Sequence, residues 1–293
     1  MVENTRNKIT RSAIPNFLFW LISIACVAPI ILLISISLSD NGEILKSGYS
    51  FFPKGFNLDA YEYLLKDSAK LFQAYKITFI ATVFGTVGSM LCTILLAYVT
   101  SREGYRWKGL ISFLIFFTML FNAGMVPSYV WMTKYLHLRN NLLVLIVPAF
   151  IQAWYIILMR SFFYGIPVEI TEAATIDGCS EWSILFRIVL PLSKPAIATV
   201  GLFTLLMYFN DWQSSMLYMD DSKLISLQYF LYKTINNIKE AQTNAMSFEA
   251  GVQFPQEPVR MAMAVAAVLP VIVVFPFLQK YFVKGITLGS VKG

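Results

Sequence analysis

Apolar residues run along the chain in six stretches, each long enough to cross a bilayer, with polar segments of very unequal length between them. A hydrocarbon core needs roughly 20 consecutive apolar residues in a helix, and this criterion predicts spans at 17–38, 75–99, 110–130, 141–163, 195–217 and 261–282. Two polar segments are long, 39–74 and 211–260, and the second predicts a short amphipathic helix near 224–238. Both suit either contact with an outside partner or a simple solvated excursion. The pattern predicts an all-α membrane protein, with residues 1–16 as a terminal segment and 17–293 as one transmembrane domain.

One polar segment has a pattern of its own. The stretch from Glu172 to Pro195, "EAATIDGCSEWSILFRIVLPLSKP", is charged and folded-looking between two greasy neighbours. Pro167 can sit near the first position of a helix, Glu169 falls in its first turn, and "VEITEAATI" carries good helix formers up to Gly178, which suits a left-handed C′ position. Ser180 can cap a second helix, "EWSILFRIVL", with Trp182, Leu185, Phe186, Val189 and Leu190 expected on one face and Pro191 expected to stop it. The product is a helix-turn-helix at the membrane surface. Physics alone reads it equally as a docking element or as a hairpin that only links two spans.

Composition agrees with the span pattern. Hydrophobic residues make up 57% of the 293 and charged residues only 14%, where a soluble domain carries about 25%. Placing the N-terminus in the cytoplasm gives that side 12 of the 23 Lys and Arg, concentrated at the termini and in the short basic segment 101–109. Both termini are therefore expected inside, with 39–74 and 211–260 outside, and the first span is expected to be an uncleaved anchor. The net charge of +6 is read as topology and contact with anionic headgroups.

What the spans lack narrows the function. Between 77 and 99, 110 and 131, 142 and 159, 196 and 210, and 261 and 279 there is no Asp, Glu, Lys, Arg or His, so a proton relay or ion pathway is disfavoured. Cys26, Cys92 and Cys179 lie far apart and form neither a disulfide framework nor a CxxC pair, and His137 reads as a loop residue. No cofactor, metal ligand set or catalytic residue is expected. Uncharged polar residues do interrupt the spans: Asn122, Gln152, Trp154, Tyr155 and Asn210 could line a substrate path, since amides at depth are tolerated where they face protein or a water-filled cavity. The bland alternative is helix packing through polar and small residues.

At this point the residues carry a resemblance. Glu172, Ala173 and Ala174, then Asp177 and Gly178, then Phe186, Ile188, Leu190 and Pro191 resemble the EAA loop of inner-membrane permeases of binding-protein-dependent ABC importers, with matching internal spacing. "FNAGMVPSYVWMTKYLHLRNN", "LPLSKPAIATVGLF", "NDW" and "PFLQKYFVKGITLGSVKG" extend the resemblance over nearly the whole chain, to the carbohydrate branch of maltose-permease type and the similar lipoprotein or complex-oligosaccharide group. Cys179, Trp154 and "YFN" at 208–210 depart from that branch's usual residues. The resemblance implies the type I importer (MetI-like) permease fold with six transmembrane helices. It further implies a cytoplasmic coupling helix within 165–194, where Glu172, Ala173, Ala174, Asp177 and Gly178 would meet a separate ATPase. The implied partners are a second similar permease, two ATPase copies, an external substrate-binding protein and a sugar or oligosaccharide, in the cell membrane and without nucleic acid. No G-x-x-x-x-G-K-[ST] occurs, so the chain has no usual ATP loop of its own. A stand-alone secondary carrier is the alternative, and a membrane-embedded enzyme ranks third.

Overall fold

Helices make up nearly all of the described chain, and the breaks between them decide where the polar segments fall. The computed structural model describes residues 3–66, 68–247 and 256–289; Lys292 and part of the 211–260 segment lie outside the described residues. In chain order the helices are α1 (Glu3–Ser37), α2 (Asn41–Ser47), α3 (Asp59–Lys66), α4 (Ser68–Ser101), α5 (Lys108–Leu120), α6 (Met125–Tyr135) and α7 (Ala153–Tyr164). They continue as α8 (Val168–Ile176), α9 (Glu181–Leu192), α10 (Lys194–Phe209), α11 (Gln213–Tyr218), α12 (Leu227–Ser247) and α13 (Gln256–Gly289). Two units contain them, one of residues 1–68 and 234–270, the other of 69–233 and 271–293.

The six apolar segments take three forms. Pro15–Ser37 of α1, all of α4, and Glu257–Pro276 of α13 are unbroken helices long and apolar enough to cross a membrane. The third and fifth segments belong to bent pairs: α5 meets α6 at 114°, and α9 meets the α10–α11 run at 83°. At the first bend Asn122 Oδ1 accepts the N–H of Gly124 at 2.8 Å, and Gly124 takes a φ of +84°. The fourth segment is a 3-10 turn, Leu142–Leu145, and a non-helical stretch through Pro148 before α7 begins. Proline lacks the N–H that a continuous helix would use there.

In the first unit, the segment after α1 is more ordered than an open loop. Asp40 caps α2, its Oδ1 accepting N–H groups of Gly42 at 2.8 Å and Glu43 at 3.2 Å, and Ser39 forms a bridge with Phe56. The Tyr49 hydroxyl donates to Glu257 Oε2 at 3.1 Å, while Arg260 donates to Oε1 of the same carboxylate at 2.9 Å. The hydrogen bond to that carboxylate raises the Tyr49 phenol above its ordinary pKa.

The second unit has a continuous core in which Ala97 and Tyr98 of α4 pack with Ile156, Met159 and Phe163 of α7, with Ala174, with Ile184, Leu185 and Val189, and with Ala196 and Val200 of α10. Side-chain volume limits how closely α4 is approached: a Cβ at Gly85 would lie 2.5 Å from the Tyr208 ring, and one at Gly88 2.4 Å from Phe150. Glycine permits both contacts. The helix expected near 224–238 is present but longer, 21 residues from Leu227 to Ser247, and the Leu227 N–H is bound by Thr78 Oγ1 at 2.7 Å.

Candidate functional site

The segment between α7 and α10 folds as two helices joined by a glycine turn. α8 is nine residues, with Pro167 as its N-cap, one place earlier than a first helical position. Its end is a complete Schellman motif: Cys179 N–H reaches Ala174 O at 2.9 Å, Gly178 N–H reaches Thr175 O at 3.0 Å, and Gly178 has a φ of +78°. Ser180 then caps α9, its hydroxyl accepting the Ser183 N–H at 3.3 Å. Nothing lies within 4 Å of the position a Gly178 Cβ would take, so only the backbone conformation calls for glycine there.

α8 is held by a narrow side and shows a broad one. Thr171 and Ala174 are buried, and at 3.6 residues per turn the opposite face carries Glu169, Glu172, Ala173 and Ile176. Ile176 is 87% exposed, with Val168 and Ile170 also exposed on the same short helix. Glu172, Ala173, Asp177 and Gly178 are exposed; Ala174 faces the core.

α9 departs from its expected face. Ile184, Leu185 and Val189 are buried, whereas Trp182 and Phe186 are 60% and 57% exposed and stack on each other at 6.0 Å between ring centroids. Nor does Pro191 stop the helix. A π turn over Leu185–Val189 precedes it, with Leu190 N–H reaching Leu185 O, and the helical run continues to Leu192 before breaking at Ser193. Trp182 and Phe186, four residues apart, share one flank of the helix, and Ile184, Leu185 and Val189 turn the adjoining flank to the core.

Sequence patterning gave no sign of the contacts Glu181 makes. Its carboxylate accepts the Tyr98 hydroxyl at Oε2 and Arg102 Nη2 at Oε1, the latter at 3.0 Å, and the Arg102 guanidinium lies 5.7 Å from the Tyr98 ring centroid. Tyr98 lies in the last turn of α4 and Arg102 directly follows its end, and a cavity of about 470 Å³ beside them is walled by Tyr105, Trp182 and Leu185. Arg102 counts in the sequence only toward topology, and pairing across about 80 residues leaves no local periodicity.

The five polar span residues are divided among different elements. Asn122 sits in the α5–α6 bend, Gln152 is the N-cap of α7, and Asn210 is the C-cap of α10, so the three amides occupy breaks. Trp154 is 60% exposed, and Tyr155 is half-buried against the core. Asn210 lines a hollow of about 270 Å³ with Tyr208, Asp211, Trp212 and Gln213, and none of the other four lines it.

A second built turn lies at 136–141. His137 and Asn140 take left-handed φ values of 51° and 55°, and Asn140 Oδ1 accepts the N–H groups of Asp220 at 2.7 Å and Asp221 at 3.2 Å. Asn140 N–H reaches Tyr218 O at 3.0 Å, and Arg139 Nε donates to Asp220 Oδ2 at 2.7 Å. That hydrogen bond, the foremost cause, holds the Asp220 carboxyl below the ordinary aspartate range.

A largely helical chain with broken apolar spans and a short two-helix segment showing one face has the build of a membrane transport subunit. It belongs to the family of binding-protein-dependent transport system inner membrane components, which it matches over residues 77–288. It is 36% identical to the polygalacturonan/rhamnogalacturonan transport system permease protein YtcP of Bacillus subtilis (strain 168), over 98% of this chain and 100% of that one. It is also 36% identical to protein LplC of the same organism, over 91% of this chain and 90% of that one. Among solved structures it resembles a bacterial ABC transporter involved in the import of the acidic polysaccharide alginate, with a TM-score of 0.75, 30% identity, and coverage of 94% of this chain and 98% of that one.

Proposed function

We propose that this chain forms one half of the translocation path of an ATP-driven sugar or oligosaccharide importer, and that 165–194 is the element through which a separate ATPase drives it. The observation that carries the coupling role is the outward face of α8, where Ile176 is 87% exposed beside Glu172 and Ala173 while only Thr171 and Ala174 anchor the helix. A helix of nine residues is about 14 Å long, a size that fits a groove of another protein, and an exposed apolar side chain gains by being covered there. Glu172, Asp177 and Gly178 then serve attachment and alignment, and Ala173 lets the partner approach closely.

The saccharide class is supported by relatives named for polygalacturonan, rhamnogalacturonan and alginate, and by spans with uncharged interiors. The substrate path follows the helix breaks at Asn122, Gln152 and Asn210, with Trp154 and Tyr155 as aromatic surfaces; unwound backbone and amides at depth are tolerated where they face protein or a water-filled cavity. Both termini are cytoplasmic, and the complete assembly holds a second similar permease, two ATPase copies and an external substrate-binding protein. The test is Glu172→Lys against Glu172→Ala in the purified complex. The lysine should release more of the ATPase than the alanine, since it adds repulsion to a basic partner surface as well as removing the carboxylate. Full ATPase retention and normal uptake in Glu172→Lys would defeat the coupling role.

A further inference from the structure

Glu181 is the fixed joint between the turn at Gly178 and the end of α4. We propose that the Tyr98–Glu181–Arg102 contact is the positioning latch that carries movement of the docked segment into α4, so that Glu181 governs how much transport each ATP yields without taking part in ATPase attachment. This rests on the coupling reading of 165–194 given above.

Three observations carry it. First, Glu181 opens α9 directly after the Ser180 cap, three residues past the left-handed Gly178, so its backbone moves with any reorientation of the two-helix segment. Second, both of its carboxylate oxygens are held at the end of α4: Tyr98 in its last turn donates to Oε2, Arg102 just past its last residue donates to Oε1 at 3.0 Å, and the same Tyr98 hydroxyl lies 3.4 Å from the Glu181 carbonyl. Two donors one helical turn apart fix direction as well as distance, which a single ion pair would not. Third, what they fix is the end of α4, an unbroken 34-residue helix. A continuous helix transmits displacement along its length, whereas the bent pairs can absorb it at their breaks.

α8 supplies no comparable tie of its own. It touches the core through Thr171 and Ala174, and the acidic residues Glu169, Glu172 and Asp177 remain exposed on it. The apolar contacts of Ile184, Leu185 and Val189 hold the segment in place but are non-directional. The latch therefore predicts a loss that packing alone would not produce, and one that depends on charge order.

The experiment uses the full complex in proteoliposomes and reads three quantities: ATPase retained, ATP hydrolysed and sugar taken up. Glu181→Ala should keep the ATPase at wild-type stoichiometry while uptake per ATP falls by about fivefold or more, the lower range of allosteric couplings. Tyr98→Phe should fall less, because Arg102 still holds Oε1. Each single reversal, Glu181→Arg or Arg102→Glu, should be severe, and the two combined should recover most of the lost uptake per ATP. The latch is overturned by a wild-type ratio in Glu181→Ala, by loss of the ATPase in that variant, or by a double reversal no better than either single one. Normal ATPase attachment and transport in Gly178→Val and Glu172→Lys would instead overturn the coupling reading itself, whatever the Glu181 variants show.

Discussion

The turn at Gly178 and the turn at Asn140 both hold a residue in the left-handed region, at φ values of +78° and +55°, yet their surroundings differ in kind. Around Gly178 the neighbouring helix leaves Ile176 87% exposed and its acidic side chains on the surface. At 136–141 the polar groups are engaged within the chain: Asn140 binds two N–H groups and gives its own to Tyr218, and Arg139 holds Asp220. Unmatched apolar area suits a partner that arrives and leaves, and internal pairing suits a clasp that stays closed. The difference teaches that backbone conformation alone does not tell a docking turn from a structural one; the fate of the nearby side chains does.

The largest expected effect comes from breaking the docking turn. Gly178→Val places a β-branched residue at positive φ, at a cost of roughly 1–2 kcal/mol, and the helix pair responds by misaligning. Because no atom lies within 4 Å of the added Cβ, the defect is one of backbone alone. Gly178→Asn should therefore keep most function, since asparagine visits the left-handed region readily. ATPase copurification and substrate-stimulated hydrolysis check this, and equal behaviour of the two variants would remove the claim that turn geometry sets the docking face.

Much of this segment was legible in its residues. Gly178 as the left-handed terminus and Ser180 as a cap follow from side-chain chemistry acting within three or four positions. The face of α9 was not legible, because its apolar residues cover a wide arc and tertiary packing chose Ile184, Leu185 and Val189 over Trp182 and Phe186 for the core. Six apolar stretches were equally plain, but whether a stretch runs straight like α4 or bends by 114° at Asn122–Gly124 depends on local breakers whose effect tertiary packing decides. Glu181 was invisible as a functional residue because its partners stand 79 and 83 positions away. Asn122, Gln152, Trp154, Tyr155 and Asn210 stand out by side-chain chemistry alone, and the structure puts three amides at helix breaks and leaves Trp154 well exposed.

Opening the clasp should cost transport less than disturbing the docking turn. Asn140→Ala removes the acceptor of two N–H groups at a solvent-exposed site and puts alanine at positive φ, for a combined local loss of roughly 2 kcal/mol. Asn140→Gly removes the same side-chain hydrogen bonds, including the 3.3 Å bond from Nδ2 to Asp220, without the positive-φ cost, and should lie between wild type and alanine. Hydrogen exchange at the Asp220 and Asp221 amides reports the order directly, with uptake per ATP nearly unchanged. A large loss of transport in Asn140→Ala would instead mean that this turn, too, moves during the cycle.

The smallest effect is a dependence on pH, and its sign follows from Asp220. The hydrogen bond from Arg139 holds this carboxyl below its ordinary pKa, and the charge of the guanidinium acts in the same direction. An unfolded aspartate titrates near pH 3.9, so the contribution is fully present above about pH 4 and is lost as pH falls through the lower folded value. From pH 5 to pH 8 the clasp should show no change. Below about pH 4, exchange at Asn140, Asp220 and Asp221, corrected for its intrinsic pH dependence, should rise in the wild type, while Asp220→Asn should already be raised at pH 6 and stay flat. Both partners are exposed, at 56% and 57% of their side-chain surface, so salt should shrink the difference as it screens the pair. A wild-type profile unchanged down to pH 3 would show that Asn140 alone closes the turn, which would make the clasp a matter of neutral hydrogen bonds and the contrast with the acidic face of α8 one of charge as well as pairing.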